Sequence, residues 1–195
     1  TITVQPGMVL ERLNARVKAD GWFFPVEPST ATRCTIGGMA GNNSCGARSL
    51  RYGKMSDNVL AMEALFHDGE AFGFGLTGDV RSGVNGSDRA AALAARMRGL
   101  AEDHRAEIEA RFPKVQRRVG GYNLDALIEA QPNLAHLLVG SEGTLAATTA
   151  VTLKLSRLPT HRGMGVCHFP SFRAAMETTR HIVGLNPVAV ELVDN

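Results

Sequence analysis

Apolar positions change their spacing along the chain, and this change predicts a mixture of strands and helices. Residues 1–5 alternate in polarity as an edge strand does, and apolar side chains then recur at helical spacing from Val9 to Val17. Gly21 indicates where that helix ends. The pattern at the start of the chain therefore predicts a strand followed by an amphipathic helix.

The middle of the chain predicts a hairpin and a long helix. Two apolar runs, residues 58–66 and 71–76, flank a short polar turn, which is typical of a β-hairpin. Ser87 is the predicted N-cap of a helix that reaches about Arg111, and a short helical segment is predicted over residues 123–130. The apolar stripe of the long helix is predicted at Leu93, Met97, Leu100, His104 and Ile108.

The last third of the chain predicts further strands around one helix. Residues 149–155 alternate as a strand does, and residues 163–169 and 188–193 are also predicted strands. A helix capped by Ser171 lies between the last two and ends near Gly184. Strands and helices in this order predict an α+β fold, in which helices flank a mixed or antiparallel sheet.

Three glycine-containing turns are the candidate binding segments, at residues 35–46, 51–53 and 140–145. We expect the first to be a loop, because its glycines and small polar side chains cannot fill a core. Glycine lets backbone approach a ligand, and successive N–H groups in such turns form a concavity that binds anions such as a pyrophosphate. The alternative interpretation is that the glycines only supply the positive φ of tight turns. The Rossmann and P-loop patterns are both missing from the sequence.

Composition narrows the class of protein further. A chain of 195 residues with 44% hydrophobic and 21% charged residues predicts one globular domain, or one with an appendage. The net charge of +2 does not favour nucleic acid as a partner. Three cysteines without C-x-x-C spacing and unpaired histidines predict no metal site and a reducing, cytoplasmic location. The sequence contains no run of 18 apolar residues, so no membrane span is predicted.

Five ordered motifs resemble those of a known family, and they lie at residues 25–30, 35–39, 43–46, 51–53 and 140–145. They are similar to the FAD-linked oxidase family, which includes D-lactate and D-2-hydroxyglutarate dehydrogenases and has the vanillyl-alcohol-oxidase type of flavin fold. Residues 112–115 and 121–124 further resemble the branch whose members carry a C-terminal iron–sulfur domain.

The resemblance implies a domain organisation and a reaction. Residues 1–158 would form the second FAD-binding subdomain, with a helical insertion at about 87–130, and residues 159–195 would begin the C-terminal substrate or cap domain. The N-terminal FAD subdomain would be absent, so the chain is expected to be a fragment that is inactive alone and has the missing domains as partners. The parent protein would oxidise a D-2-hydroxy acid by hydride transfer to non-covalent FAD.

The resemblance also implies which residues contact FAD. Pro28 and Ser29 would lie beside the diphosphate, the amides of residues 35–38 would cradle it, and the turn at 142–144 would lie near the ribose and the diphosphate. The full implied set is Pro28, Ser29, Thr35, Ile36, Gly37, Gly38, Asn43, Gly46, Glu142, Gly143 and Thr144. Residues 146–149 depart from the family pattern, and no catalytic base is assigned.

Two alternatives remain open at this point. The chain could be a non-catalytic nucleotide-binding or assembly module, with the helix at 87–111 as its partner surface. The basic segment that contains Lys114, Arg117 and Arg118 could line the entrance for an acidic substrate, or it could be a solvated connector.

Overall fold

An antiparallel sheet of five strands lies at the centre of the computed structural model, which describes residues 1–75, 80–82 and 87–193. In chain order the strands are β1 (Ile2–Val4), β2 (Trp22–Phe23), β3 (Val59–Leu65), β4 (Ala71–Gly75), β5 (Val80–Ser82), β6 (Ala147–Leu153) and β7 (Ser156–Arg157). The large sheet has the order β1-β6-β3-β4-β5, and β2 pairs with β7 in a separate two-stranded sheet. All of these pairs are antiparallel.

Helices surround this sheet. They are α1 (Leu10–Lys18), α2 (Ile36–Gly41), α3 (Ser49–Tyr52), α4 (Met55–Asn58), α5 (Ser87–Asp103), α6 (Arg105–Arg111) and α7 (Phe172–Val183), and 3-10 turns span Leu124–Leu127 and Leu134–Leu137. The α+β prediction with an antiparallel sheet and flanking helices is confirmed. None of the described helices is both long and apolar enough to cross a membrane.

The core fills one side of the sheet and is closed by α1, α2 and the 3-10 turns. Met62 on the central strand β3 pairs with Phe74 on β4 and with Val151 on β6, and all three side chains are buried. Leu10 and Leu13 bring α1 onto the same core. Burial of large apolar side chains of this kind contributes roughly 1.5–3 kcal/mol each, which makes the sheet and its covering helices one packed unit.

Several predicted elements are confirmed by the structure. The first strand, the helix that follows it and the hairpin appear as β1, α1 and the pair β3–β4. The C-terminal helix is α7, and the Ser171 side chain accepts a hydrogen bond from the amide of Ala174, as an N-cap does. Strand β6 covers most of the predicted strand at 149–155.

Segment 35–46 is partly helical, so the prediction of a loop is wrong there. Thr35 caps α2, since its hydroxyl accepts from the amide of Gly38. Ile36, Met39 and Ala40 point their apolar side chains into the core. The small residues around them allow close packing, so three apolar side chains are enough to anchor a short helix.

The long predicted helix is also corrected. It breaks at His104 into α5 and α6, and both Leu100 and His104 are exposed. The buried residues of α5 are Ala90, Ala94, Met97 and Ala101, and Ile108 is buried on α6 as predicted. The four on α5 recur at helical spacing, and the three alanines allow close packing against neighbouring elements.

The two strands predicted near the C-terminus do not form. Residues 163–169 and 188–193 have no strand partner among the described residues and no regular structure. Met164 and Val166 are 91% and 69% exposed. Alternating polarity predicts strand conformation only when a neighbouring strand accepts its hydrogen bonds.

Candidate functional site

Two glycine-containing segments that are a hundred residues apart in sequence meet in space. The amide of Gly140 donates to the carbonyl oxygen of Ala40 at 2.8 Å, and the amide of Glu142 donates to that of Gly41 at 3.1 Å. The turn at 140–142 therefore donates to the last two carbonyls of α2, of which that of Ala40 also accepts from the amide of Asn43 at 3.1 Å. Two of the three predicted binding segments, 35–46 and 140–145, meet in this way.

An open cleft of about 770 Å³ lies where these segments meet. Small ligands and cofactors typically occupy clefts of roughly 300–1,000 Å³. Its lining consists of Pro6, Gly7, Thr35, Gly37, Gly38, Gly41, Asn42, Leu138, Ser141, Glu142, Gly143, Ala146, Ala147 and Thr148. Among these described residues, Glu142 is the only charged one. Backbone, hydroxyl and amide groups supply the other polar atoms.

Glycines shape the cleft in two different ways. A Cβ atom built on Gly37 would lie 2.5 Å from the Cβ of Pro6, so the α2 backbone packs directly on the turn after β1. Gly140 and Gly143 have φ values of 86° and 75°, in the left-handed region that favours glycine. Both the close approach and the tight-turn interpretation of the glycines therefore apply, each at different positions.

The amides predicted to cradle a diphosphate are largely engaged within the chain. Ile36 and Gly37 donate to the carbonyl oxygens of Met8 and Pro6, each at 2.8 Å. Gly38 donates to the Thr35 hydroxyl at 3.3 Å. The hydrogen atoms of these amides are therefore already paired, and these residues expose mostly backbone atoms to the cleft. Among the hydrogen bonds of the described residues, none uses the amide of Gly143.

The eleven predicted contact residues fall into three groups: those that line the cleft, those beneath or next to its lining, and those away from it. Those that line the cleft are Thr35, Gly37, Gly38, Glu142 and Gly143. Ile36 and Asn43 are buried beneath it, and Thr144 continues the turn. Pro28, Ser29 and Gly46 do not line the cleft; a Cβ on Gly46 would lie 3.1 Å from the nitrogen of Pro28, so that these loops contact each other.

Sequence reasoning missed several residues of the lining. Pro6 and Gly7 lie between the first predicted strand and helix, Asn42 lies in the predicted segment 35–46 and Ser141 in the motif 140–145, but none of them is among the predicted contact residues. A turn directly after an edge strand, beside glycines that allow close approach, was the available signal.

Asn43 is the buried polar residue beneath the cleft. It has a φ of 46°, and its Oδ1 accepts from the amide of Ser56 at 3.0 Å. Its Nδ2 is the one buried side-chain nitrogen or oxygen without a hydrogen-bond partner among the described residues. An unpaired buried amide costs about 1–3 kcal/mol, and such groups commonly accompany binding sites.

The lining tolerates part of a dinucleotide but offers no cation for its phosphates. A wall of glycine, alanine and small hydroxyl residues admits a flat or extended ligand without steric conflict. The Glu142 carboxylate repels a diphosphate and suits a ribose, whose hydroxyls donate hydrogen bonds. The cleft has room for part of FAD, and its described polar groups include the Glu142 carboxylate, which can accept from a sugar, and the amide of Gly143, which can donate to a phosphate.

Comparison with known protein families defines the class of this domain. Residues 1–75 match the family described as FAD binding domain. These residues contain β1, β3 and β4, three of the five strands of the large sheet, and also α2 and the turn after β1, which line the cleft. The match covers less than half of the chain, and it supports FAD as the predicted cofactor.

Known proteins similar to the whole chain include several dehydrogenases. The chain is 33% identical to a D-2-hydroxyglutarate dehydrogenase of Haemophilus influenzae and 31% identical to that of Escherichia coli, matching 100% of the chain and 20% of each relative. It is 30% identical to a probable mitochondrial D-lactate dehydrogenase of Danio rerio, of which it covers 30%. The predicted resemblance to FAD-linked oxidases is confirmed. The chain spans between a fifth and a third of the length of these relatives.

The fold has counterparts among solved structures. An alkyldihydroxyacetonephosphate synthase superposes with a TM-score of 0.55 and 17% sequence identity, over 94% of this chain and 24% of that protein. At this identity the likeness shows the fold alone, and it agrees with the antiparallel α+β architecture.

Proposed function

We propose that this chain is the FAD-binding part of a flavoprotein that oxidises a D-2-hydroxy acid of the D-lactate or D-2-hydroxyglutarate class. The observation that carries the proposal is the meeting of segments 35–42 and 138–148 around one cleft. The names of the relatives support the substrate class. We also propose a cytoplasmic location, which rests on the cysteine usage of the sequence.

Within this proposal, the chain binds and orients the cofactor. FAD, when bound, supplies the acceptor for the hydride that leaves the α-carbon of the substrate. The backbone of α2 and of the turn at 140–143 excludes bulky groups and lets the dinucleotide lie against the main chain. Ser141, Thr148 and Asn42 offer hydroxyl and amide groups along the same cleft. The Glu142 carboxylate accepts hydrogen bonds from ribose hydroxyls.

Residues 1–158 form the cofactor-binding unit in this proposal, and residues 159–195 lead toward a substrate domain. Substrate oxidation needs an acid–base group beside the hydroxyl of the substrate. The cleft holds no histidine or lysine among its described lining residues. We therefore propose that the 195-residue chain binds the cofactor weakly and does not turn over substrate alone.

The test follows the flavin absorbance of the complete polypeptide that carries this sequence. Anaerobic addition of D-lactate or D-2-hydroxyglutarate is expected to bleach the oxidised flavin bands, and the L-enantiomers serve as matched controls. A purified polypeptide that contains no flavin and gains no thermal stability from FAD would contradict the proposal and favour an assembly module. Turnover by the isolated 195-residue chain with added FAD would contradict its inactivity.

A further inference from the structure

The basic connector after α6 is exposed, and two of its side chains are hydrogen-bonded to the protein surface. The Gln116 side chain donates to the carbonyl oxygen of Leu50 at 3.0 Å, and the Arg117 guanidinium donates to that of Gly46 at 3.0 Å. The carbonyl of Gly46 belongs to the loop that follows α2, and that of Leu50 belongs to α3. One end of the connector therefore binds the segment that continues the first wall of the cleft.

The other end of the same connector binds the second wall. The Asn123 Nδ2 donates to the carbonyl oxygens of Val139 at 2.8 Å and His136 at 3.2 Å. The Oδ1 of Asn123 accepts from Arg118 at 3.0 Å, and Arg118 also pairs with Asp125. Asn123 is 2% exposed, so these bonds are shielded from water and hold the chain directly before Gly140.

Tyr122 extends this contact to the turn itself. The Thr144 hydroxyl donates to the carbonyl oxygen of Ser141 at 2.6 Å, so its single hydrogen is engaged. The Tyr122 hydroxyl lies 2.8 Å from the Thr144 Oγ1 and must be the donor of that bond. Tyr122 is 41% exposed, and its ring is not needed to fill the core.

We propose that residues 116–123 form a strap that sets the spacing between the two walls of the FAD cleft. The proposal rests on the proposed FAD site and adds positioning residues to it: Gln116 and Arg117 at one end, and Tyr122 at the other. None of the three lines the cleft, so each acts through the loop that it binds. The strap connects the helices of the insertion to the cofactor site.

A strap sets a spacing only while both of its ends are attached, and this property makes the proposal testable. If the spacing between the walls depends on both ends, release of either end frees it, and release of the second adds little. If each end merely steadies its own loop, the two losses multiply. Variants at the two ends therefore distinguish a strap from two independent contacts.

The variants are made in the complete polypeptide that carries this sequence. One combines Gln116→Ala with Arg117→Met, one is Tyr122→Phe, and one contains all three changes. Lys114→Met is the matched control, because it removes a cation from the same connector and has no hydrogen bond or ion pair with the described residues. The FAD dissociation constant is measured by flavin fluorescence, and the Tm of each apoprotein by circular dichroism.

We expect each end variant to weaken FAD binding about fivefold, as the loss of a typical hydrogen bond does. The combined variant is expected to remain near that value instead of reaching roughly 25-fold. The apoprotein Tm and the control should stay close to wild type, because all of the altered side chains lie at the surface. This pattern supports the strap.

Three outcomes would overturn the strap. The losses could multiply in the combined variant, FAD binding could be unchanged in both end variants, or the apoprotein Tm could fall in parallel with affinity. In each of these cases a wild-type polypeptide that binds FAD leaves the proposed function intact. A wild-type polypeptide that binds no FAD overturns both proposals together.

Discussion

At position 46 the backbone has room for a hydrogen atom and for nothing larger. A Cβ atom built on Gly46 would lie 2.0 Å from the carbonyl oxygen of Glu27 and 2.6 Å from its carbon. The conflict is with main chain, so no side chain can rotate away to relieve it. The ion pair between Arg48 and Glu27, at 3.0 Å, holds the same two loops together.

Replacement of Gly46 is therefore expected to destabilise the fold whether or not FAD is present. Gly46→Ala should lower the free energy of unfolding by about 1–3 kcal/mol, because the two loops must separate. Gly99→Ala is the control: it lies in α5 with open space around it, and the better helix propensity of alanine predicts a gain of up to about 1 kcal/mol. Urea unfolding curves measure both, and equal stability of the Gly46 variant and wild type would contradict the packing argument.

Replacement of Glu142 tests whether its carboxylate faces the ribose or the diphosphate, because FAD affinity should change in opposite directions in the two cases. If its carboxylate accepts hydrogen bonds from the ribose, Glu142→Gln should weaken FAD binding severalfold, since the amide oxygen keeps a neutral bond and a bond to a charged group is stronger than that by about 1 kcal/mol. If it faces the diphosphate instead, removal of the negative charge should tighten binding. Glu63→Gln, on the exposed side of β3, is the matched control. Titration with FAD at low and high salt measures the effect, and we expect weaker binding.

The 3-10 turn at residues 134–137 joins the central strand to the second wall of the cleft. Asn133 donates to the carbonyl oxygens of Val59 and Leu60, each at 3.1 Å, where the pairing of β3 with β6 is irregular. His136 lies in this turn, and its Nε2 is 3.3 Å from the carbonyl oxygen of Val59. A carbonyl only accepts, so the neutral ring carries its hydrogen on Nε2.

The acid sensitivity of this turn follows from His136. Burial lowers the pKa of His136 below its ordinary value of about 6.5, because the charged ring would lose its hydration. The unfolded chain then binds the proton more readily, so stability is complete above that ordinary pKa and is lost as pH falls through it. Tm measured at pH 7.5 and pH 5.5 should drop less in His136→Gln than in wild type. His67→Gln, in an exposed turn, should keep the wild-type drop; the same drop in all three would contradict the assignment.

Elements with a strong local pattern were predictable from sequence, whereas those defined by their neighbours were not. Helix α1 and the β3–β4 hairpin follow directly from spacing and turn residues. Helix α2 was missed because its three buried side chains sit among glycines, and only the contact with Pro6 explains the shortage of side chains. The predicted strand at 163–169 fails for the opposite reason, since its pattern is right and a partner strand is missing from the described residues.

The site shows the same division. The motifs at 35–39 and 140–145 line one cleft, as their glycines led us to expect, because glycine marks close approach and tight turns. The resemblance predicts that Pro28 and Ser29 contact FAD. Neither residue lines the cleft, so this contact stays a prediction. The strap could not be found from spacing, because its bonds run from side chains to distant carbonyls.

At the scale of the whole molecule, the sheet and the C-terminal segment differ in how they are held. Residues of the sheet share one core, whereas Ala175 is the only side chain of the described part of α7 that is buried. Phe172, Met176 and Leu185 are exposed by 51%, 56% and 82%. Surfaces of this kind contribute little to the stability of the sheet.

Truncation after residue 158 tests this difference and the predicted domain boundary. The shortened polypeptide is expected to unfold in one transition with a Tm within about 2–4 °C of the 195-residue chain, equivalent to less than about 1 kcal/mol. Truncation after residue 145 is the control, because it removes β6 between β1 and β3 and should abolish cooperative unfolding. A large loss of Tm on removal of residues 159–195 alone would contradict the boundary.

The joint between α2 and the turn at 140–142 consists of peptide groups from both sides. Peptide groups are the same in every protein, so mutations can replace most side chains around this joint without altering the bonds that make it. The amino-acid sequence around the joint can then diverge while the backbone geometry is retained. A joint made of backbone is compatible with a fold that is shared, over 94% of the chain, with a solved structure of only 17% sequence identity.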